Sequence, residues 1–208
     1  MRVAGIVLSG GSAKRLGGEK PFRRFGEGYL IEAILKVLVE MGIPFVVVFK
    51  HMKYLGREDI QRINYLLSKY RQGVTWDIVY RGGPVVGILS GMRVVEGDWI
   101  LVLPCDTPFI SRESLENLLK YIGTAESSNH QCIVPRHENG HVEPLFSLYS
   151  RSSLKVLEEL LKKRRGFSLR EFIQRLNPLY IPADEIDRSK RVFTNINTFQ
   201  DLRRAIKR

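Results

Sequence analysis

Three runs in this chain, Val3 to Leu8, Phe45 to Phe49 and Trp99 to Leu103, contain no polar residue. A strand with one wet face alternates apolar and polar side chains, so a continuous short apolar run reads as a strand covered on both faces. Amphipathic stretches separate the runs. Leu30 to Met41 sets Ile31, Ile34, Leu35, Leu38 and Val39 on one helical face and stops at Gly42 and Pro44. Arg57 to Tyr70 is a second helix, and Ser111 to Tyr121 a third, with Ser111 as N-cap and Glu113 and Ser114 in its first turn. Thr75 to Tyr80 is expected as a further strand, and Pro84 to Val95 as a helix entered through a tight glycine turn. Covered strands joined by helices imply an α/β fold with a doubly wound, mostly parallel sheet and helices on both faces. Beyond Ser127 the elements shorten. Cys132 to Pro135, Leu145 to Tyr149 and Leu179 to Ile181 read as strands, and Leu154 to Lys163, Leu169 to Leu176 and Thr198 to Ile206 as helices. With no repeat, linker or low-complexity tract, residues 1–208 are expected to form one domain.

Ligands of such sheets gather at the carboxyl ends of the strands, and two motifs fall there. The first strand runs into Ser9-Gly10-Gly11-Ser12-Ala13-Lys14-Arg15-Leu16-Gly17-Gly18-Glu19-Lys20-Pro21. Glycines let backbone N–H groups turn inward around an anion, and three cations share the loop. The spacing is not that of a Walker loop, because Lys20 follows Glu19 and precedes Pro21. Nor is it the dinucleotide fingerprint, since the first two glycines are adjacent and Pro21 interrupts an early helix. The loop therefore suits a polyphosphate, as carried by a nucleotide. In the second motif, Leu103-Pro104-Cys105-Asp106-Thr107-Pro108-Phe109, an apolar strand ends in one carboxylate held between prolines. Asp106 there either closes a turn before proline or holds Mg2+, which takes few protein carboxylates and completes its shell with phosphates and water. Further on, Asn195 and Asn197 share one side of an extended stretch, where their amides can donate and accept; alternatively Asn197 or Thr198 caps the last helix.

The pattern Leu-x-Gly-Gly-x-x-x-Arg-Leu-Gly-Gly-x-Lys over residues 8–20 resembles the nucleotidyltransferases of the sugar-nucleotide type, and among them the molybdenum cofactor guanylyltransferases. Cys105-Asp106-Thr107-Pro108-Phe109, Gly83-Pro84-Val85-Val86-Gly87-Ile88 and Asn195-Ile196-Asn197-Thr198 resemble further segments of that family, in order along most of the chain. The resemblance implies a Rossmann-like nucleotidyltransferase that moves GMP from GTP to molybdopterin and releases pyrophosphate. It implies that Arg15 and Lys20 meet the triphosphate, that Leu8, Ser9, Gly10 and Gly11 line base and ribose, and that Asp106 holds Mg2+. Asn195 and Asn197 would meet the acceptor, with His141 or Glu143 as further contacts. GTP and molybdopterin are then the substrates. A molybdenum-inserting enzyme or a target apoenzyme is left open as a protein partner, as are another phosphorylated acceptor, such as cobinamide phosphate or a sugar phosphate, and CTP or ATP as donor. Two departures bear on the base. At the end of the third strand, where the family carries an acidic residue near guanosine, Tyr80 and Arg81 are expected to stand, and Phe49 or Lys50 replaces a polar residue after the second strand.

Charge and cysteine usage narrow the remaining classes. The net charge is +11, of which residues 151–208 carry +8. A basic surface can meet an anionic small molecule or nucleic acid, or be a solvated face, and no nucleic-acid motif accompanies this one. No apolar run approaches a membrane span, and no signal peptide is expected from the residues that lead into the first strand. Cys105 and Cys132 lack metal-ligand spacing, so a reduced, cytoplasmic protein is expected.

Overall fold

Strand β1 (Val3–Leu8) pairs in parallel on both sides, with β4 (Phe45–Phe49) and with β6 (Trp99–Pro104). This computed structural model describes residues 1–9, 20–51, 53, 55–71, 73–77, 83–163 and 168–206. Among them β1, β4 and β6 are the core of a seven-stranded sheet in the order β5-β4-β1-β6-β8-β7-β9. The other members are β5 (Gly73–Trp76), β7 (Cys132–Arg136), β8 (Ser147–Ser150) and β9 (Pro178–Pro182). Only β8 runs against its neighbours; all other pairings are parallel. A short hairpin, β2 (Arg24–Phe25) and β3 (Gly28–Tyr29), stands apart from this sheet.

The apolar runs behave as their composition requires. Side chains of one strand alternate between the two faces, and both faces are covered. Val7, Val47, Phe49, Leu101 and Leu103 pack under α1 (Leu30–Glu40), α2 (Arg57–Tyr70) and α4 (Arg112–Leu119). Ile6, Leu8, Val46, Val48, Ile100 and Val102 pack under α3 (Gly83–Met92), α6 (Ser153–Lys163) and α7 (Leu169–Gln174). The result is three layers with the sheet in the middle. Each fully buried aliphatic side chain contributes roughly 1.5–3 kcal/mol. Among the described residues no helix is long and apolar enough to cross a membrane.

The winding direction locates the functional edge. From β1 the chain moves outward to β4 and β5 with α1 and α2 on one face, then returns past β1 to β6 with α3 on the other. Right-handed crossovers demand that change of face when the direction reverses. The strand order therefore switches between β1 and β6, where Leu8 pairs with Pro104 and where α/β sheets open a crevice.

Several boundaries differ from the sequence expectation. The strand expected to reach Tyr80 ends at Trp76, and Asp77 already lies beyond it. The helix expected over Ser111 to Tyr121 stops at Leu119, and a short α5 (Ile122–Ser127) follows. Its start is as expected: Ser111 Oγ accepts from Ser114 N and Ser114 Oγ from Ser111 N, both at 3.1 Å. Two further short helices, α8 (Ala183–Ile186) and α9 (Phe199–Ile206), complete the described fold.

Candidate active site

The backbone at the β1/β6 switch point is knitted by a few hydrogen bonds. Ser9 N donates to Val48 O at 2.8 Å, and Cys105 N donates to Leu8 O at 3.0 Å. Thus Leu8 and Ser9 leave the sheet beside the segment that carries Asp106. The Ser9 hydroxyl is buried (1% exposed) and has no hydrogen-bond partner among the described residues. A buried hydroxyl without a partner is costly, and it fits a position that a ligand completes. Gly10, Gly11, Lys14 and Arg15 lie outside the described residues, as do Tyr80 and Arg81. Lys20 opens a 3-10 turn, Lys20–Phe22. That turn is anchored by Phe22, whose ring stacks on Phe49 at 5.9 Å and meets Tyr29 edge-on at 5.7 Å. Since Phe49 is the last residue of β4, the aromatic stack fixes the exit of the glycine-rich loop to the carboxyl edge of the sheet.

Asp106 stands two residues past the end of β6 and is 7% exposed. Its bend is held by Thr107 Oγ1 donating to Pro104 O at 3.1 Å. Its own carbonyl accepts from Ile196 N at 2.8 Å. This bond ties together two motifs ninety residues apart. Ile196 is fully buried against Leu30, with Phe25 and Phe109 packed around them, while Asn195 and Asn197 on either side are exposed. The alternation puts both amides on one side of the extended segment, as expected. Thr198, not Asn197, supplies the helix cap: Asp201 N donates to Thr198 Oγ1 at 3.0 Å, and Asp201 Oδ2 accepts from Thr198 N at 2.7 Å.

Asp106 lines two cavities. One, of about 120 Å³, is walled by Leu8, Val48, Asp77, Gly87 and Leu145. The other, of about 630 Å³, extends past Thr107 to Asn195 and Asn197 and on to β7 and β9. Pro104, Asp106 and Leu145 are common to both. His141 and Glu143 also line the larger one. Glu143 Oε1 lies 2.9 Å from His137 Nε2 and 3.6 Å from His141 Nε2.

Asp77 is a buried carboxylate on the wall of the smaller cavity that sequence reasoning did not single out. Its N–H donates to Phe49 O at 2.9 Å, which places it level with the ends of β4 and β1. Burial pushes its pKa up to about 6. Helix α3 comes close to it through a glycine: a Cβ on Gly87 would stand 3.0 Å from Leu8 Cδ2 and 3.3 Å from Asp77 Oδ1. Gly83, at φ +69°, makes the turn into that helix, where a side chain would be strained. Tyr80 and Arg81 lie outside the described residues, and Asp77 is the carboxylate described at this end of β5. Its signal was a single carboxylate closing Val74-Thr75-Trp76, hidden by the β-branched residues that follow it.

Among the described residues no group of three or more His, Cys, Asp or Glu side chains could hold a metal ion. A single buried carboxylate suits a cation that takes most of its oxygens from phosphate and water. Asp106 fits that description.

Comparison with known proteins agrees with this geometry. Residues 5–179 match the MobA-like NTP transferase domain. A Methanocaldococcus jannaschii protein named "Probable molybdenum cofactor guanylyltransferase" is 46% identical over 200 residues, covering 96% of each chain. A Bacillus thuringiensis protein of the same name is 32% identical over 208 residues, covering 99% of this chain and 96% of its own. The crystal structure of the molybdopterin-guanine dinucleotide biosynthesis protein A from Archaeoglobus fulgidus superposes with a TM-score of 0.74 at 29% identity, covering 100% of this chain and 97% of that one. With the family model matched over most of its length, this chain belongs to the MobA-like NTP transferase family.

Proposed function

We propose that this chain transfers GMP from GTP to molybdopterin. The observation that carries the reading is the position of Asp106, on the wall shared by the cavity beside Leu8 and Asp77 and the cavity beside Asn195 and Asn197. A donor on one side and a phosphorylated acceptor on the other would meet there. A phosphate oxygen of the acceptor bonds to the α-phosphorus of GTP. The bond from that phosphorus to the bridging oxygen breaks, and pyrophosphate leaves with the electron pair. The acceptor phosphate is already an anion near neutral pH, so the protein need only align the groups and neutralise their charge.

In this reading Leu8, Ser9, Gly10 and Gly11 cradle base and ribose, and Arg15 and Lys20 take the triphosphate and the departing pyrophosphate. Asp106 holds Mg2+, which when bound neutralises phosphate oxygens. Asn195 and Asn197 face the acceptor. Asp77 supports guanine as the base: guanine offers two adjacent donors, N1–H and the 2-amino group, to the two oxygens of one carboxylate, whereas adenine and cytosine offer one donor beside an acceptor. The seven-stranded sheet, which takes strands from β1 through β9, supports reading residues 1–208 as one nucleotidyltransferase domain. The reading places the reaction in the cytoplasm, with Cys105 and Cys132 as buried thiols.

Calorimetric titration with GTP, CTP, ATP and UTP, each with and without Mg2+, tests the donor side. GTP should bind at least tenfold more tightly than the others, and Mg2+ should strengthen it. Preference for CTP or ATP would keep the transfer chemistry and overturn the guanylyl assignment.

A further inference from the structure

The larger cavity is longer than the acceptor's phosphate requires, and its far end is cationic. Arg136, the last residue of β7, and Arg170, in the first turn of α7, both line it. Both guanidinium groups are exposed, and neither has an ion-pair partner among the described residues. Arg136 lies over the Tyr180 ring, 5.0 Å from its centroid, and this face contact holds the guanidinium without consuming its N–H donors. The nearest acidic side chain on the cavity wall, Glu143, is turned to His137 and His141. The far end is thus two arginines with a polar floor from Gln174 and Tyr180.

Sheet order sets the span. The carboxyl ends of β6, β7 and β9 lie on one edge, with β8 between β6 and β7. Arg136 therefore stands two strand spacings, about 10 Å, from the end of β6 that leads to Asp106. We infer that Arg136 and Arg170 form a second anion subsite, which selects acceptors carrying another negatively charged group about two strand spacings from the phosphate that is attacked. The inference rests on reading this cavity as the acceptor side and adds a specificity element to it. Nothing in the donor half of the site requires these arginines.

A chemical ruler tests it. The probes are 1,6-hexanediol bisphosphate, whose length matches the span, and 6-hydroxyhexyl phosphate, which lacks the second anion. Binding of each is measured by calorimetry with the donor side filled by Mg2+ and α,β-methylene GTP, which cannot release pyrophosphate. Wild type should bind the bisphosphate at least tenfold more tightly. In the Arg136→Ala/Arg170→Ala double variant the ratio should fall to about one, with affinity for α,β-methylene GTP unchanged as the control for folding. Arg136→Lys/Arg170→Lys should recover part of the preference. Equal binding of the probes by wild type, binding of neither, or a preference that survives in the double alanine variant would overturn the subsite. Failure of wild type to pass GMP to molybdopterin, with the ruler preference intact, would instead remove the acceptor assigned above and leave the subsite standing.

Discussion

Asp106→Asn is expected to lower the rate of GMP transfer by about a hundredfold or more while shifting the unfolding temperature little. The substitution keeps the shape of the side chain and leaves two bonds of this bend in place: the Asp106 carbonyl accepts from Ile196, and Thr107 donates to Pro104. What is lost is the charge. An amide oxygen is a weaker ligand for Mg2+ than a carboxylate, and Asp106 is the acidic side chain common to both cavities. The rate should fall at saturating Mg2+, and GTP binding measured without Mg2+ should stay close to wild type. Steady-state pyrophosphate release, with thermal unfolding as the control, reads both. A variant within threefold of the wild-type rate would remove Asp106 from the reaction.

Asp77→Asn is expected to act in opposite directions on stability and on binding. In the free protein burial disfavours the ionised form of the carboxylate, and its pKa rises to about 6. The folded state then holds the proton more tightly than the unfolded chain, whose pKa is near the ordinary aspartate value of 3.8. Below the unfolded pKa the group does not alter stability with pH. As pH rises from there through about 6, wild type loses stability that Asp77→Asn keeps. At neutral pH the variant should therefore unfold at a higher temperature than wild type when no nucleotide is present. GTP affinity should fall by about a hundredfold, because an amide presents an N–H to one of the two guanine donors and the charge is gone. In wild type, GTP affinity should weaken as pH drops below about 6. A variant that binds GTP as well as wild type would leave the base to other residues.

How much of this was legible in the sequence depends on the range of the forces involved. β1, β4 and β6 could be read because burial on both faces writes itself into every residue of the strand. Their parallel arrangement followed from helices alternating with them. β5 could not be bounded, since Asp77 interrupts a run of β-branched and aromatic residues, and propensity favoured continuing through Ile78, Val79 and Tyr80. The break between α4 and α5 was hidden too, because Leu115, Leu118, Ile122 and Ala125 keep one apolar face across it. The hairpin of β2 and β3 turns at Gly26, with φ +59°, in strands too short to show a period. At the site, Asp106, Asn195 and Asn197 were found as motifs, but the hydrogen bond that joins their segments spans ninety residues. Arg136 and Tyr180 meet because β7 and β9 pair in parallel, a pairing that no local pattern announces, and Arg170 joins the same cavity from α7.

The most direct test of the account is one incubation of the protein with Mg2+, molybdopterin and a nucleoside triphosphate, followed by mass analysis of the product and assay of pyrophosphate. The account predicts a guanine dinucleotide of molybdopterin and one pyrophosphate per product with GTP, and little product with CTP or ATP. A cytosine or adenine dinucleotide formed in preference, or pyrophosphate released from GTP only with a different phosphorylated acceptor, would contradict it.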